Sequence, residues 1–100
     1  MKMYILIKDS VPPGFAVLSA AHASLAAFLK FKGTPEVSEW ISGTFYKTVC
    51  RVTDEEFERA KSVEDSVVIT ESALGGKEVA IAFRPRVEWP KPFRYYQLYK

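Results

Sequence analysis

Apolar positions recur along the chain with two different periods, which predict where strands and helices lie. The short apolar run Met3–Lys8 has the length of a strand that is buried on both faces. The segment from Phe15 to Lys32 repeats apolar residues every three or four positions, the spacing of one helical face. That face carries Phe15, Leu18, His22, Leu25 and Leu29. We therefore predict a strand followed by a long helix, with the single histidine on or beside its apolar stripe.

Small residues on the neighbouring faces of this helix suggest a second contact. Alanine side chains let another backbone or a sheet approach closely, so we expect cover on more than one side of the helix. These positions are Ala16, Ala20, Ala23 and Ala27. The turn Pro12-Pro13-Gly14 ends the strand and starts the helix, because proline cannot continue a strand ladder.

Start and stop signals predict the remaining elements. Thr34-Pro35-Glu36 is typical of a helix start, and Thr53 with Glu56 forms a capping box ahead of a third helix. Aromatic and β-branched residues predict three further strands. The predicted ranges are a second helix to about Ser42, a third helix to about Ser62, and strands over Phe45–Val52, Val67–Thr70 and Glu78–Phe83. The loop built on Gly75-Gly76 is too short for a crossover helix, so the last two strands should be antiparallel.

The tail after Arg84 leaves two interpretations open. Prolines at 85, 90 and 92 exclude a long helix, so we expect a segment that wraps back over the domain. Its aromatic residues alternate with basic ones, a pairing that single-stranded nucleic-acid sites use for stacking and charge. Aromatic residues that simply pack the tail onto the core would give the same pattern. The aromatic residues are Trp89, Phe93, Tyr95, Tyr96 and Tyr99.

The order of elements predicts a single α/β domain over residues 1–100 with a mixed sheet. A length of 100 residues with 48% hydrophobic residues suits one core. Cys50 is the only cysteine, which excludes an internal disulfide and favours a small core residue. No uninterrupted apolar run approaches the roughly 20 residues of a membrane span, so we expect a soluble cytoplasmic protein with no membrane partner.

The distribution of charge is uneven. Residues 77–100 hold six basic and two acidic side chains, a balance of +4, whereas residues 1–76 hold eight basic and ten acidic ones, a balance of −2. A basic C-terminal part suits a phosphate-bearing partner, and a solvated basic surface would look alike. The acidic residues 54–58 suit the start of a helix better than a metal site.

Two short patterns could carry chemistry. Ser19 and His22 are three positions apart on one helix, so they could act as nucleophile and base if the fold brings Asp9 or Glu71 close. A serine in the middle of a helix more often bonds its own backbone carbonyl. The Gly75-Gly76-Lys77 segment could hold a phosphate through backbone amides, although a hairpin bend is the commoner use. Sites in such folds lie beyond the carboxyl ends of the strands, where Asp9 and the proline turn should gather.

The order of several short motifs resembles the type II peptidyl-tRNA hydrolases. These motifs are Ile7-Lys8-Asp9, a glycine turn, Ala21-His22-Ala23, an acidic helix, and a closing IAFRP followed by FRYYQLYK. The tail is most similar to the peptidyl-tRNA hydrolase domain-containing proteins. The resemblance implies a three-layer αβα sandwich with a mixed four-stranded sheet, often dimeric, which hydrolyses the ester between a peptide and tRNA without a cofactor.

The resemblance implies a role for His22, and the patterns described above supply the other members of the predicted site. We predict His22, Asp9 and Ser19 as catalytic, and Lys8, Glu71, Lys77 and Arg84 as substrate-binding. Phe15 stands where the family usually has a lysine, and Ser19 stands where it has a glutamine. The alternative is therefore a catalytically degenerate member that binds tRNA, a protein partner or a small ligand without turnover.

Overall fold

The apolar run Met3–Lys8 forms the central strand, β1, of a five-stranded sheet. The computed structural model describes residues 1–100. Three α-helices and four further strands follow β1: α1 Pro13–Phe31, α2 Pro35–Ser42, β2 Lys47–Val52, α3 Asp54–Ala60, β3 Ser66–Glu71, β4 Lys77–Phe83 and β5 Gln97–Leu98. Two 3-10 helices, Ser72–Leu74 and Lys91–Tyr95, lie before β4 and β5. The predicted mixed α/β class is confirmed.

The strand order is β3-β4-β1-β2-β5, with β1 and β2 parallel and every other neighbouring pair antiparallel. The predicted four-stranded sheet is wrong, because the tail adds β5 to the edge of β2 by pairing Leu98 with Cys50. Strand β5 has only two residues, which follow a segment rich in proline and aromatic residues, so it shows no alternation from which a strand could be predicted. The predicted antiparallel pairing of β3 and β4 is confirmed.

Buried side chains form two clusters, and β1 contributes to both because its side chains alternate between the sheet faces. Met3, Ile5 and Ile7 belong to one cluster with α1 and α2 residues, which we call the α1 cluster. Tyr4 and Leu6 belong to the other, with Phe57 and Ala60 of α3, which we call the α3 cluster. The sheet therefore buries apolar side chains on both faces.

Helix α1 packs on the sheet through its small residues. Its buried positions are Ala16, Ser19, Ala23, Ala27 and Phe31, and it packs mainly on β4 and β3. Strand β4 contributes Ala80 and Ala82 to the same cluster, so alanines face alanines and the two backbones can approach closely. The bulky side chains of Ile81 and Phe83 are buried on the opposite face of the sheet, in the α3 cluster.

The apolar stripe predicted on α1 is exposed to solvent except at Phe15, which is half-buried against the α1 cluster. Leu18, Leu25 and Leu29 are 42%, 58% and 53% exposed, and His22 is exposed as well. The prediction that other parts of the chain cover α1 on more than one side is therefore wrong, because these leucines remain exposed in the single chain. Leucine side chains between α1 and β4 would hold the backbones apart, so the alanine face is the one that packs.

Caps and turns explain where the other elements begin. The Thr34 hydroxyl accepts from Val37 N–H at the start of α2, and Thr53 and Glu56 form the predicted capping box of α3. The ammonium of Lys30 donates to Ser66 O at 2.7 Å, which fixes the end of α1 against the start of β3. Gly75 and Gly76 take φ values of 72° and 77° in the β3–β4 turn, a region that favours glycine.

The aromatic residues of the tail mostly pack against the α3 cluster. The ring of Phe93 lies 5.1 Å from the rings of Tyr4 and Phe83, and Trp89 lies 5.2 Å from Phe93. These distances are those of favourable aromatic pairs, and the pairs of Phe93 with Tyr4 and Phe83 are near-perpendicular, at 80° and 78°. Tyr95 is different, because it is 70% exposed. Packing therefore accounts for most of the aromatic pattern.

Helix α1 also meets the length and composition of a membrane span, with 19 residues and a mean hydropathy of 1.4. This corrects the expectation that no segment approaches such a length, since counting uninterrupted apolar runs missed a helix rich in alanine. The feature is weak evidence for a span, because core helices of soluble proteins share it. The packed sheet and its two clusters fit a soluble protein.

The alanine contact between α1 and β4 predicts that enlarging an alanine of α1 costs more stability than truncating one of its leucines. Ala23→Leu adds bulk at a position with 0% exposure and should lower the free energy of unfolding by about 1–3 kcal/mol. Leu29→Ala removes an exposed side chain and should change it by less than about 0.5 kcal/mol. Urea unfolding followed by circular dichroism measures both. A larger loss for Leu29→Ala than for Ala23→Leu would contradict this packing.

Candidate functional site

The carboxyl ends of β1 and β2 lie at the same edge of the sheet, because the two strands are parallel neighbours. The chain leaves β1 toward α1, which packs in the α1 cluster, and leaves β2 toward α3, which packs in the α3 cluster. Such a divergence is where open α/β sheets form ligand crevices. The β3–β4 turn reaches the same edge, since β4 runs antiparallel to β1.

A cavity of about 650 Å³, which we call the polar cleft, opens at this edge. Its lining residues come from the end of β1, the proline turn, the first residue of α3 and the region of the β3–β4 turn: Lys8, Ser10, Val11, Pro12, Asp54, Leu74, Lys77, Glu78 and Val79. Volumes of roughly 300–1,000 Å³ are usual for small-molecule sites. The polar cleft is therefore the best candidate for a functional site.

Opposite charges face each other in the polar cleft. The Lys8 ammonium lies 3.9 Å from Asp54 Oδ1, and it also lies 4.8 Å from the ring centroid of Phe57. The side chain of Lys8 is only 19% exposed, whereas that of Asp54 is 73% exposed. Burial along an aromatic ring limits how far Lys8 can move. The fixed ammonium can bind an anionic oxygen, and the accessible carboxylate beside it can accept a proton from water.

The other two charged residues of the polar cleft differ in their partners. Glu78 forms an ion pair with Lys61, which also contacts Glu58. The hydrogen bonds that the Lys61 ammonium donates to Glu78 first and Glu58 second raise the pKa of Lys61 above its ordinary value. Lys77 makes no ion pair and is exposed, so its charge is available to a ligand.

The structure does not bring the three predicted catalytic side chains together in a cavity. The Ser19 hydroxyl is buried and donates to Phe15 O at 2.6 Å, the backbone bond typical of a serine inside a helix. The exposed ring of His22 lines none of the five main cavities. Asp9 is exposed between two cleft residues, and its N–H donates to Val52 O. This geometry gives His22 no orienting acid and Ser19 no free hydroxyl.

The four predicted substrate-binding residues divide into two pairs. Lys8 and Lys77 line the polar cleft. Glu71 instead accepts a hydrogen bond from Ala73 N–H at 3.0 Å and caps the 3-10 helix Ser72–Leu74. Arg84 forms ion pairs of 3.0 Å with Glu36 and 3.2 Å with Asp65, which tie β4 to neighbouring segments.

Sequence reasoning missed Asp54 and Glu78 as site residues. Asp54 was interpreted only as a favourable charge at the start of a helix, a role it also has as the first residue of α3. Asp54 closely follows the carboxyl end of β2, which lies beside the carboxyl end of β1. That position was the signal from which Asp54 could have been predicted as a site residue. No cluster of three or more His, Cys, Asp or Glu side chains could hold a metal ion.

No protein-family model matches the chain, and no curated protein matches it significantly in sequence.

Cys50 is excluded as a nucleophile in the folded state, which gives a testable prediction. The thiol is 1% exposed in the α3 cluster, and burial raises its pKa from 9.0 to about 11. Because the thiolate is the reactive species, a rise of this size makes the thiol roughly 100-fold less reactive below pH 9. Native protein should therefore react with Ellman's reagent at least that much more slowly than protein in urea. Equal rates at pH 8 would contradict the buried placement.

Proposed function

We propose that the chain is a peptidyl-tRNA hydrolase-like protein that hydrolyses the ester between a peptide and tRNA in the polar cleft. The carrying observation is the ammonium of Lys8 beside the carboxylate of Asp54, in a cavity at the edge where β1 and β2 diverge. The motif order that resembles the type II peptidyl-tRNA hydrolases supports the choice of substrate.

The chemistry needs a positioned water, a base and a group that stabilises the oxyanion. Asp54 is accessible enough to take a proton from the water that attacks the ester carbonyl. When the tetrahedral intermediate collapses and the ester C–O bond breaks, Asp54 returns that proton to the leaving ribose oxygen. Lys8 supplies the positive charge for the oxyanion, and its contact with Phe57 holds it in place. The proposal therefore replaces the roles predicted for His22, Asp9 and Ser19 with residues that line the polar cleft.

The basic C-terminal part supports tRNA as the partner, but not all of its charges are available. Arg84 is engaged by two carboxylates, and Arg86 packs against the ring of Trp89 at 4.8 Å. Burial lowers the pKa of Arg86 below its ordinary value. Apart from Arg86, the cations of residues 77–100 that form no ion pair are Lys77, Lys91, Arg94 and Lys100. We therefore expect few phosphate contacts and a shallow salt dependence of binding.

The second candidate function is binding of tRNA, a protein partner or a small ligand without turnover. The observation that favours it is the geometry of the predicted catalytic group, with Ser19 bonded to its own helix and His22 outside every main cavity. Phe15 also stands where the related family has a lysine.

The resemblance further supports three broader proposals. We infer a three-layer αβα arrangement, supported by the two clusters that contain α1 and α3. We infer a homodimer, as the resemblance implies. A cytoplasmic location follows from the proposed tRNA substrate.

The hydrolase proposal predicts that charge in the polar cleft controls turnover. Lys8→Met and Asp54→Asn should each lower kcat/KM for a peptidyl-tRNA by about 10²-fold or more, because each removes a group that acts on the transition state. His22→Ala should stay within about twofold of the wild type. Release of labelled peptide from tRNA measures the rates, and Lys2→Met is the matched control at the other end of β1.

The same assay separates the two candidate functions. Loss of hydrolysis in Lys8→Met and Asp54→Asn but not in Lys2→Met supports the hydrolase. Retention of intact peptidyl-tRNA without peptide release, weakened by Lys77→Met, supports binding without turnover. Loss of hydrolysis in His22→Ala alone would contradict a reaction in the polar cleft.

A further inference from the structure

A second cavity lies away from the polar cleft, between α1, α2 and the exposed face of β2. It has a volume of about 510 Å³, and nine of its eleven lining residues are hydrophobic. We call it the apolar groove. Its walls include Ala20, Ala21 and Leu25 of α1 and Trp40 of α2, with Phe45 and Lys47 at the start of β2. Volume and composition both match those of small-molecule sites.

The apolar groove exists because α1 packs mainly on β4 and β3, so β2 is only partly covered. A cavity of about 260 Å³ extends the groove along α1 and shares Ala20 and Val49 with it. This extension ends at Tyr99, beside the edge strand. The two cavities together form an elongated apolar surface, which suits a chain-like ligand better than a compact polar one.

Lys47 is the only charged residue that lines the apolar groove. Its ammonium lies 4.6 Å from the ring centroid of Phe45 and 5.2 Å from that of Trp40. It makes no ion pair, and its one hydrogen bond is to Phe45 O at 3.4 Å. An ammonium beside two aromatic rings and without a carboxylate partner leaves a place for one anionic group.

The backbone of Phe45 adds an independent observation. Its φ of 37° lies in the left-handed region, where a bulky residue is an outlier. The ring nevertheless remains 47% exposed and forms an edge contact with Trp40 at 6.0 Å. Such strain is retained mainly where surrounding structure or function requires it. Here the strained conformation holds an exposed aromatic ring at the entrance of the apolar groove, next to Lys47.

We propose that the apolar groove binds a small amphipathic carboxylate, with its hydrocarbon chain along α1 and its carboxylate on Lys47. The class is that of a medium-chain fatty acid. A second copy of the chain is a poorer occupant, because a two-fold contact at this groove would bring two Lys47 ammoniums together and the groove lining contains no carboxylate. The proposal is independent of any activity in the polar cleft.

The test compares decanoate with decanol, which has the same chain without the charge. Calorimetry on the wild-type protein, below micelle-forming concentrations, should give saturable binding of decanoate about fivefold tighter than that of decanol. Lys47→Gln should weaken decanoate binding to the level of decanol and leave decanol binding unchanged. Lys2→Gln is the matched control, since Lys2 also lies over an aromatic ring, that of Tyr4.

A second pair of variants tests the position of the hydrocarbon chain. Ala21→Phe fills the apolar groove from an exposed position on α1 and should lower decanoate affinity at least tenfold, whereas Leu29→Phe lies outside the groove and should not. Fluorescence of Trp40 in the Trp89→Phe variant should change on binding. Equal affinities for decanoate and decanol would overturn the proposal. So would a protein dimer that Ala21→Phe disrupts in the absence of decanoate binding.

Discussion

The contact between the alanine face of α1 and the alanines of β4 is the constraint on which the rest of the structure depends. Ala23 and Ala27 on α1 and Ala80 and Ala82 on β4 are all fully buried. Small side chains on both sides bring the helix close to the sheet, and the gain comes from dense packing of many short contacts. Because one face of α1 is committed to this contact, Leu18, Leu25 and Leu29 on the opposite side are exposed to solvent.

Both candidate sites follow from the position of α1. The chain leaves β1 toward α1 of one buried cluster and leaves β2 toward α3 of the other, and the polar cleft opens there beside Lys8 and Asp54. The same helix covers β4 and β3 more fully than β2, which leaves the apolar groove beside Trp40. One site offers paired charges, and the other offers hydrocarbon surface with a single ammonium.

Much of the fold could be predicted from local signals in the sequence. The capping box at Thr53, the glycine turn before β4 and the apolar run of β1 each determine structure within a few residues. The exposed face of α1 could not be predicted, because helical periodicity places Leu18 and Leu25 on one face without showing which face meets the sheet. Strand β5 could not be predicted from its two residues. It pairs with β2 because the preceding part of the tail packs against the α3 cluster and brings Gln97–Leu98 to the edge of β2.

The candidate site was predicted less completely, for a related reason. Lys8 was predicted from the motif Ile7-Lys8-Asp9, and Lys77 was predicted from the glycine segment before it. Asp54 acquires its place in the polar cleft only through the parallel pairing of β1 and β2. The spacing of three positions makes Ser19 and His22 neighbours on the helix, but the packing of α1 buries Ser19 and leaves His22 exposed. Spacing along a helix does not determine which residues share a cavity.

Thiol labelling of α1 tests its orientation most directly. In a Cys50→Ala background, single cysteines replace Leu18 on the outer stripe and Ala23 on the alanine face, and their reaction rates with Ellman's reagent are compared in native and unfolded protein. Packing through the alanine face predicts that Leu18→Cys reacts nearly as fast as in urea, whereas Ala23→Cys is strongly protected. Protection of Leu18→Cys in the monomer, with fast labelling of Ala23→Cys, would contradict it.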